Sequence, residues 1–380
     1  MTKIYLDNAA TTQLDEEVFN AMLPYMREEF GNPSSIHSFG RKTRTAIETA
    51  RKTVAKYLNV APAEIFFTSG GTEADNMAIC KAIEMYGIKH AISSKIEHHA
   101  VEHTLCTLEK EGKIKVNWVN IDDKGNVDLK HLEELLKNNP KSLVSLMHAN
   151  NEIGTLLPIK KAGELCAKYN ALFHSDTVQT MGHFKLDLPN LGVHFVTCAA
   201  HKFHGPKGVG FIYINHAVKI NPFISGGAQE RNMRGGTENV SGIVGLAKAF
   251  ELANEHMEEH QNHIRVIKNY MMEQLRSGIE GMDFNGEVEE NSLYTVLNCR
   301  FPKHPDAEML LFNLDIAGIA ASGGSACSSG SNQGSHVLRG LGIDMERPSV
   351  RFSFSKYTTK NEIDIVVKKL KEMFAVAAKA

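Results

Sequence analysis

Short apolar or β-branched runs alternate with segments of helical period between about residues 60 and 215. The runs predict seven strands, at residues 64–68, 89–94, 114–119, 142–148, 171–175, 193–199 and 209–214. The intervening segments predict helices at residues 72–86, 98–110, 129–137 and 159–169. Because helices that connect parallel strands cover the faces of their sheet, this alternation predicts an α/β fold with a mainly parallel seven-stranded sheet and helices on both faces.

The pattern changes in the last third of the chain. Residues 238–278 predict one long helical stretch that connects to a second unit. Fewer elements follow it, at residues 293–299, 306–314 and 349–353 and in a final helix at 361–378. We therefore predict a large α/β domain at residues 16–256 and a smaller α+β domain at 257–380, joined by the amino-terminal segment 1–15.

Composition narrows the class of protein. The chain has 380 residues, of which 42% are hydrophobic and 23% charged, as in soluble globular proteins. The formal net charge of -2 gives no sign of a nucleic-acid partner. The first eight residues lack the apolar core of a signal peptide, and no apolar run approaches the roughly 18 residues of a membrane span. These features predict a cytoplasmic protein without nucleic-acid or membrane partners.

Polar residues follow five of the predicted strands, at the points where the strands end. They are the glycine-rich residues 69–72, Glu97 with His98, Asn150 with Asn151, Asp176, and His201 with Lys202. Ligands of open parallel sheets bind beyond the carboxyl ends of the strands. We therefore expect these five groups to meet at one edge of the sheet and to form the functional site.

Lys202 and Asp176 together indicate an aldehyde cofactor. Lys202 alone would be assigned as a solvated surface lysine. A lysine that binds the aldehyde as a Schiff base, with an aspartate that pairs with the protonated pyridine nitrogen, is the recurring arrangement of pyridoxal-phosphate enzymes. The aspartate keeps the ring cationic, so the ring withdraws electrons from the substrate Cα. This pair predicts pyridoxal 5'-phosphate as the cofactor.

Two further polar side chains suit the same site. Gln179 can hydrogen-bond the phenolic oxygen of the ring, although its position also suits a plain polar helix residue. His98 can lie flat against the ring, and a histidine is well matched to proton transfer near neutral pH. Taken alone, His98 would be a structural histidine that opens a helix. The pairing with Lys202 and Asp176 favours the catalytic role.

The glycine-rich residues 69–73 join a strand to a helix. Gly71 allows close approach of a ligand, and the helix amino terminus at Thr72 offers free N–H groups and a positive dipole end. These features suit a phosphate, but an ordinary turn with Thr72 as the N-cap explains the motif equally well. The sequence matches neither the P-loop nor the Gly-x-Gly-x-x-Gly pattern, so a nucleotide is not favoured.

The six cysteines form no Cys-x-x-Cys pair, so neither a zinc ribbon nor a disulfide framework is predicted. Cys327 lies among glycines and serines at residues 323–330, a composition typical of an exposed loop. No histidine shows a metal-ligand pattern such as His-Glu-x-x-His, and no metal site is predicted. The other five cysteines have apolar, helix- or strand-like surroundings and are expected to be buried: Cys80, Cys106, Cys166, Cys198 and Cys299.

Motifs along essentially the whole chain resemble the pyridoxal-phosphate cysteine desulfurases of the NifS/IscS type, within the class-V aminotransferase family. They are residues 5–12 (YLDNAATT), 31–37 (GNPSSIH), 68–76 (TSGGTEADN), 150–154 (NNEIG), 200–208 (AHKFHGPKG), 234–239 (RGGTEN) and 324–330 (GSACSSG). The resemblance implies a fold-type-I homodimer with its active site at the subunit interface.

The same resemblance implies roles for further residues. Thr72, His201 and Thr237 of the partner subunit would hold the cofactor phosphate. Asn151 would support the cofactor or the substrate, and Arg351 would bind the substrate carboxylate, a role that suits a bidentate guanidinium. One position departs from the family, because Ala199 stands where a serine usually contributes a phosphate hydrogen bond. Losing one such bond costs roughly 1.5–3 kcal/mol, so we expect weaker cofactor retention and retained activity.

The implied reaction converts L-cysteine to L-alanine. Lys202 moves the Cα proton, the Cys327 thiolate attacks the substrate sulfur and retains it as a persulfide, and His98 moves protons around the sulfur. The persulfide would then pass to an acceptor protein such as an iron–sulfur scaffold. Three alternatives remain open at this point: a selenocysteine lyase, a plain class-V aminotransferase, and a non-catalytic sulfur-relay or scaffold protein.

Overall fold

The computed structural model describes residues 3–289, 291–305, 307–323 and 334–377. The amino-terminal elements are β1 (Ile4–Tyr5), α1 (Glu16–Arg27), α2 (Ser38–Leu58), β2 (Ile65–Thr68), α3 (Gly71–Tyr86), β3 (His90–Ser93), α4 (His99–Lys110), β4 (Lys115–Trp118), α5 (Leu129–Asn138), β5 (Leu143–Ser145), α6 (Ile159–Lys168), β6 (Leu172–Asp176), β7 (Phe195–Ala199) and β8 (Gly210–Ile214). The elements that follow are α7 (Val240–Glu255), α8 (Met257–Gly278), β9 (Asp283–Asn285), β10 (Val296–Arg300), α9 (Leu310–Ile316), β11 (Ile319–Ala320), α10 (His336–Gly340), β12 (Ser349–Ser353) and α11 (Lys360–Ala377).

The central sheet has seven strands in the order β2-β8-β7-β6-β5-β3-β4. Strands β7, β6, β5, β3 and β4 pair in parallel. Strand β8 is antiparallel to both of its neighbours, so β2 points in the same direction as the parallel strands. The mainly parallel seven-stranded sheet predicted from the sequence is confirmed.

Helices cover both faces of this sheet. Successive residues of a strand point to opposite faces, so neighbouring strand residues pack against different helices. Phe67 and Phe211 belong to an apolar cluster that also contains buried residues of α1, α2 and α7. Their neighbours Phe66 and Ile212 belong to a different cluster, formed with α3 and α4. Burying a large apolar side chain contributes about 1.5–3 kcal/mol, so the packing of both faces holds the strand ends in place.

A smaller antiparallel sheet follows, in the order β12-β10-β9. Its apolar residues, such as Leu297 and Phe352, form a separate cluster with Ile267 of α8 and Ile363 of α11. Leu6 of the amino-terminal segment joins this cluster, and β1 pairs in parallel with β11. The division into domains at residue 256 stays a prediction.

The stretch predicted to be helical at residues 238–278 is helical over most of its length, and it consists of two helices, α7 and α8. His256 separates them with non-helical backbone angles (φ -104°, ψ 16°), and its N–H donates to the carbonyl of Leu252. Leu246 of α7 packs in the cluster of the central sheet, whereas Met271 of α8 packs in the cluster of the smaller sheet. The break therefore lets each helix bury its apolar face against a different cluster.

The five cysteines within the described residues are free thiols. Cys166, Cys198 and Cys299 are buried, as predicted, but Cys80 and Cys106 are only half-buried because they lie on helices near the surface. Within the described ranges, none of the helices is both long and apolar enough to cross a membrane.

Candidate active site

The carboxyl ends of β2, β7, β6, β5 and β3 lie at one edge of the central sheet, and a cavity opens beside them. Its volume is about 800 Å³ when the part open to solvent is included, which is within the range of small-molecule sites. The predicted site residues that line it are Gly71, Thr72, His98, Asn151, Asp176, Gln179, His201, Lys202 and Arg351.

Lys202 ends the short turn that follows β7. Its Nζ donates to the carbonyl oxygens of Ala9 at 2.6 Å and Ala10 at 2.9 Å. The amino-terminal segment is itself anchored to the smaller sheet, since Asn8 Nδ2 and the Ala9 N–H both donate to Ser353, each at 2.8 Å. Backbone carbonyls from the far end of the sequence thus fix the position of the lysine amine.

Asp176 is the last residue of β6 and is only 6% exposed. Its Oδ1 accepts a hydrogen bond from the Val178 N–H at 2.9 Å. Burial, and then the charge of Asp75, raise the pKa of Asp176 to about 6, while His98 opposes the shift. A buried carboxylate in this setting is stabilised by a cation. A protonated pyridine ring is a cation of suitable shape, so the position fits the cofactor.

Two further carboxyl groups belong to the same buried region: Asp75, which the sequence did not single out, and Glu97, which was expected near the site without a role of its own. Asp75 of α3 accepts from Thr197 Oγ1 at 2.7 Å, and burial raises its pKa to about 7. Glu97 accepts from Ser94 Oγ at 2.8 Å and from the Met147 N–H at 2.9 Å, and burial raises its pKa to about 8. Burial thus raises the pKa of all three carboxyl groups, and a cation beside them would favour their ionised form.

The sequence positions of these two carboxyl groups point to the site. Asp75 follows Gly71 by about one helical turn, and Glu97 directly precedes His98. Because residues three or four apart share a helix face, the sequence is sufficient to predict that Asp75 lies beside the glycine-rich turn. The polarity of Glu97 at the end of a buried strand was also visible, but its burial was not.

His98 is the N-cap of α4 and lies beside Asp176. Its Nδ1 accepts a hydrogen bond from the Ala100 N–H at 3.1 Å, so the neutral ring carries its proton on Nε2. Burial lowers the pKa of His98, and the charge of Asp176 opposes that shift. One ligand atom each of Asp75, His98 and Asp176 lies within 4.8 Å of the others. The imidazole is thus held in a defined tautomer at the cavity wall.

The amino terminus of α3 forms another part of the cavity. A Cβ at Gly71 would lie 2.7 Å from Val178 Cγ2 and 3.8 Å from the Ala199 Cβ, so the backbone packs closely here. Nδ1 of His201 forms a hydrogen bond of 3.2 Å with Thr11 Oγ1. Burial lowers the pKa of His201 to about 4. A helix amino terminus with neutral side chains around it suits a phosphate group.

Arg351 of β12 is 1% exposed and reaches the cavity from the smaller sheet. Its Nη2 lies 2.9 Å from Asp7 Oδ1, and its Nη1 donates to the Asn151 carbonyl at 3.0 Å. Its Nε is buried and makes no hydrogen bond to any described residue. An anion in the cavity would supply the acceptor that this guanidinium lacks.

Gln179 is also fixed by the amino-terminal segment, since its Nε2 donates to the Ala9 carbonyl at 3.1 Å. Ala199, the departure noted in the sequence, lines the cavity beside Gly71. Both residues line the same cavity as Lys202, and their roles toward the cofactor stay predictions.

One predicted residue within the described part of the chain does not line this cavity. Thr237 lines a different cavity with Arg234 and Glu238. Arg234 Nε donates to Glu73 Oε1 at 2.9 Å, so this segment docks on the first turn of α3 within its own chain. The role predicted for Thr237 of the partner subunit stays a prediction. Cys327 lies outside the described residues.

Comparison with known proteins decides the family. The model of the family described as Aminotransferase class-V matches residues 4–366. The chain belongs to this family. A protein named cysteine desulfurase IscS, from Dictyoglomus turgidum, is 45% identical over 367 residues, which cover 95% of this chain and 92% of that protein. The NifS/IscS-type resemblance predicted from the sequence is therefore confirmed.

Solved structures also match this chain. A NifS-like protein matches with a TM-score of 0.91 and 38% identity, over 99% of this chain and all of that one. A structure titled SspA in complex with cysteine matches with a TM-score of 0.79 and 31% identity, over 94% of this chain and all of that one. The fold-type-I architecture predicted for the chain is confirmed, and so is its class of enzyme.

Proposed function

We propose that the protein is a pyridoxal-phosphate-dependent cysteine desulfurase that converts L-cysteine to L-alanine and transfers the sulfur to Cys327. The observation that carries the proposal is the convergence of Lys202, Asp176 and His98 at one cavity beside a helix amino terminus. The family is shown, and its chemistry calls for this set of groups.

The cavity residues fit pyridoxal phosphate. Asp176 would pair with the ring nitrogen, Gln179 would hydrogen-bond the ring oxygen, and Lys202 would hold the aldehyde. Gly71, Thr72 and His201, together with Thr237 of the partner subunit, would hold the phosphate. When bound, the cofactor supplies an electron-withdrawing ring that makes the substrate Cα–H acidic.

The residues of the chain orient the substrate and move its protons. Arg351 and Asn151 position the carboxylate of L-cysteine. Lys202, steered by the Ala9 and Ala10 carbonyls, takes the Cα proton and returns one. His98 transfers its Nε2 proton at the sulfur, where a neutral imidazole serves as acid and then as base.

The sulfur acceptor must be a thiolate. Burial raises the pKa of Cys80 and of Cys106, the latter to about 11, and it raises the pKa of Cys166 to about 12. The thiols of Cys198 and Cys299 are fully buried, with pKa values well above their ordinary range. These five groups are unsuited to the role, which supports Cys327.

In the transfer step, the Cys327 thiolate forms a bond to the substrate sulfur. The bond between that sulfur and the substrate Cβ breaks, and its electron pair stays with the carbon, which takes up a proton and becomes the alanine methyl group. Cys327 keeps the sulfur as a persulfide. A sulfur-acceptor protein, such as an iron–sulfur scaffold, then receives it for cluster or thio-cofactor assembly.

The proposal includes a cytoplasmic homodimer. Large apolar side chains are exposed on one stretch of the surface, including Phe30 at 74% and Ile36 at 91%, with Phe39 packed beside Phe30. A patch of this kind is typical of an interaction surface. It supports the homodimer in which Thr237 of the partner subunit would contact the cofactor phosphate.

The test is a single turnover with L-cysteine labelled with radioactive sulfur, followed by electrophoresis without reductant. The wild type should retain label that dithiothreitol removes, and Cys327→Ala should retain none. Cys106→Ala is the matched control, because the Cys106 thiol is partly accessible but has a raised pKa, and this variant should label like the wild type. Label on Cys327→Ala equal to that on the wild type would contradict the assignment of Cys327.

A further inference from the structure

A second cluster of ligating side chains lies on the first turns of α4, next to the cofactor cavity but outside it. His99, Glu102 and His103 each place one ligand atom within 4.8 Å of the other two. Glu102 Oε2 is 3.3 Å from His103 Nε2 and 3.9 Å from His99 Nδ1. These three side chains share one helix face, because they are spaced by three and four residues.

The spacing of the three ligand atoms suits a zinc-type ion. Bonds of roughly 2.0–2.2 Å from a tetrahedral ion put its ligand atoms about 3.3–3.6 Å apart. The distance from Glu102 to His103 is within this range, and the distance from Glu102 to His99 is slightly longer. Because the rings of His99 and His103 stack, the exposed His103 ring must turn so that both nitrogens face one ion. Two histidines and one carboxylate, with a fourth position open to water, form a recurrent zinc ligand set. The side chains of Glu102 and His103 are 26% and 70% exposed, so an ion can enter from solvent.

The ring of His99 is held in place for this role. It stacks on His103 with ring centroids 4.5 Å apart, and His336 packs against it at 4.3 Å. His336 is fixed in turn by a hydrogen bond of 2.9 Å between its Nε2 and the Glu97 carbonyl. The Nδ1 atom of His99 is buried and makes no hydrogen bond to any residue that the structure describes. An ion would satisfy this atom.

The chain contains an internal comparison with the same sequence spacing. His256, Glu259 and His260 repeat the pattern His-x-x-Glu-His at the start of α8. Here the three ligand atoms do not all lie within 4.8 Å of one another. His260 lines a cavity with Asp15 and Lys356, and its ring centroid is 5.8 Å from that of His256. Spacing alone therefore does not assemble a site, and the packing around His99 does.

We propose that His99, Glu102 and His103 bind one divalent transition-metal ion of the zinc type. The ion would brace the helical turn that begins at His98 and carries its imidazole at the wall of the cofactor cavity. The site uses none of the residues assigned to the cofactor or the substrate. The metal site is independent of the proposed desulfurase activity, so an absence of metal binding would not contradict that activity.

The test uses the full chain loaded with its cofactor, because Asp75, His98 and Asp176 form a second group of ligand atoms inside the cavity. Zn²⁺ affinity is measured by competition with a chromophoric chelator, and Co²⁺ is added separately to record its visible absorption. The variants are His103→Gln, Glu102→Gln and, as the matched control, His256→Gln. His103 is an exposed side chain, so its replacement leaves the fold intact.

The wild type should bind one equivalent of Zn²⁺ that His103→Gln and Glu102→Gln bind at least tenfold more weakly. The strong Co²⁺ bands of a four-coordinate site should disappear in the same two variants. His256→Gln should match the wild type in both measurements. The proposal is overturned if the wild type binds no such equivalent, if His103→Gln binds it equally well, or if His256→Gln weakens it as much.

Discussion

The two walls of the cofactor cavity differ in the charge of their side chains. The acidic wall comprises Asp75, Asp176 and His98, with Glu97 behind them, and all three carboxyl groups are buried with raised pKa values. The neutral wall comprises Gly71, Thr72, Ala199 and His201, at and near the amino terminus of α3. Buried charge is costly to maintain, whereas the N–H groups of a helix amino terminus come with the fold.

This difference separates two kinds of contribution. The acidic wall supplies the field that acts on the reacting atoms, so changes there should alter turnover by orders of magnitude. The neutral wall holds a phosphate through several comparable donors, so losing or gaining one of them should alter cofactor affinity modestly. Four substitutions test this contrast, in order of decreasing expected effect.

The largest effect is expected for Asp176→Asn. The amide keeps the shape of the side chain but removes the charge that pairs with the ring nitrogen, so turnover should fall by about 10²–10³-fold. The matched control is Asp75→Asn, because that carboxyl group has a higher pKa and accepts from Thr197 in a way that an amide oxygen can reproduce. Steady-state alanine formation should drop less than tenfold in the control. Equal losses in the two variants would remove the special role of Asp176.

The second effect is on proton transfer at His98. Asparagine at this position keeps an N-cap for α4 but lacks a titrating imidazole, so turnover should fall by roughly 10²-fold without loss of stability. His98→Ala also removes the cap that holds the Ala100 N–H, and it should lower the free energy of unfolding by about 1 kcal/mol. Turnover and denaturant unfolding are measured for both variants. Wild-type turnover in His98→Asn would exclude a role for the imidazole in proton transfer.

The third substitution strengthens the neutral wall. Ala199→Ser adds a hydroxyl donor beside Gly71, and one hydrogen bond to a charged phosphate contributes about 1.5–3 kcal/mol. Cofactor affinity should therefore rise by about tenfold or more, while turnover of the loaded enzyme stays within a factor of two or so of the wild type. Ala199→Cys is the control, because a thiol is similar in size but a weak donor. Equilibrium dialysis of the cofactor distinguishes them, and equal affinities for Ser and Ala would refute the missing-bond explanation.

The smallest effect concerns stability and pH. Burial raises the pKa of Glu97 from its ordinary value of 4.5 to about 8, so the folded chain binds a proton that the unfolded chain has released between these pH values. Its contribution is therefore complete below about pH 4.5 and declines as the pH rises toward 8. Glu97→Gln cannot lose this proton, and Ser94 and Met147 can still pair with its amide.

The melting temperature of Glu97→Gln relative to the wild type should therefore increase from pH 5.5 to pH 8, by an amount equivalent to about 1–3 kcal/mol. The comparison between the two proteins cancels the opposite contribution of buried histidines such as His148, whose pKa burial lowers to about 4. A difference that does not change with pH would show that Glu97 is ionised in the folded chain.

The sequence predicts the central sheet and most of this cavity for the same physical reason. Buried parallel strands have continuous apolar runs, and the polar residue after each run marks a carboxyl end, as at Lys202 after β7. Because the strands are parallel, their ends must meet, so local pattern determines a three-dimensional site. The resemblance to a known family implies a role for Arg351, whereas periodicity alone predicts only that this residue lies in a strand.

Other features depend on contacts that local pattern does not contain. The carbonyls of Ala9 and Ala10 hold Lys202 across about 190 residues of sequence, and a backbone oxygen has no residue signature. The break at His256 involves no proline or glycine. It separates α7, which packs in the cluster of the central sheet, from α8, which packs in the cluster of the smaller sheet. Glu97 is buried and accepts hydrogen bonds from Ser94 and from Met147, about 50 residues away, so its raised pKa could not be predicted from local pattern.

The most direct test of the account is the stoichiometry of products formed from L-cysteine by the cofactor-loaded wild type in the presence of a reductant. The account predicts equal amounts of alanine and sulfide, with neither formed by Lys202→Ala. A keto acid in stoichiometric amount, or no alanine from a fully loaded wild type, would contradict the assignment of this cavity to cysteine desulfuration.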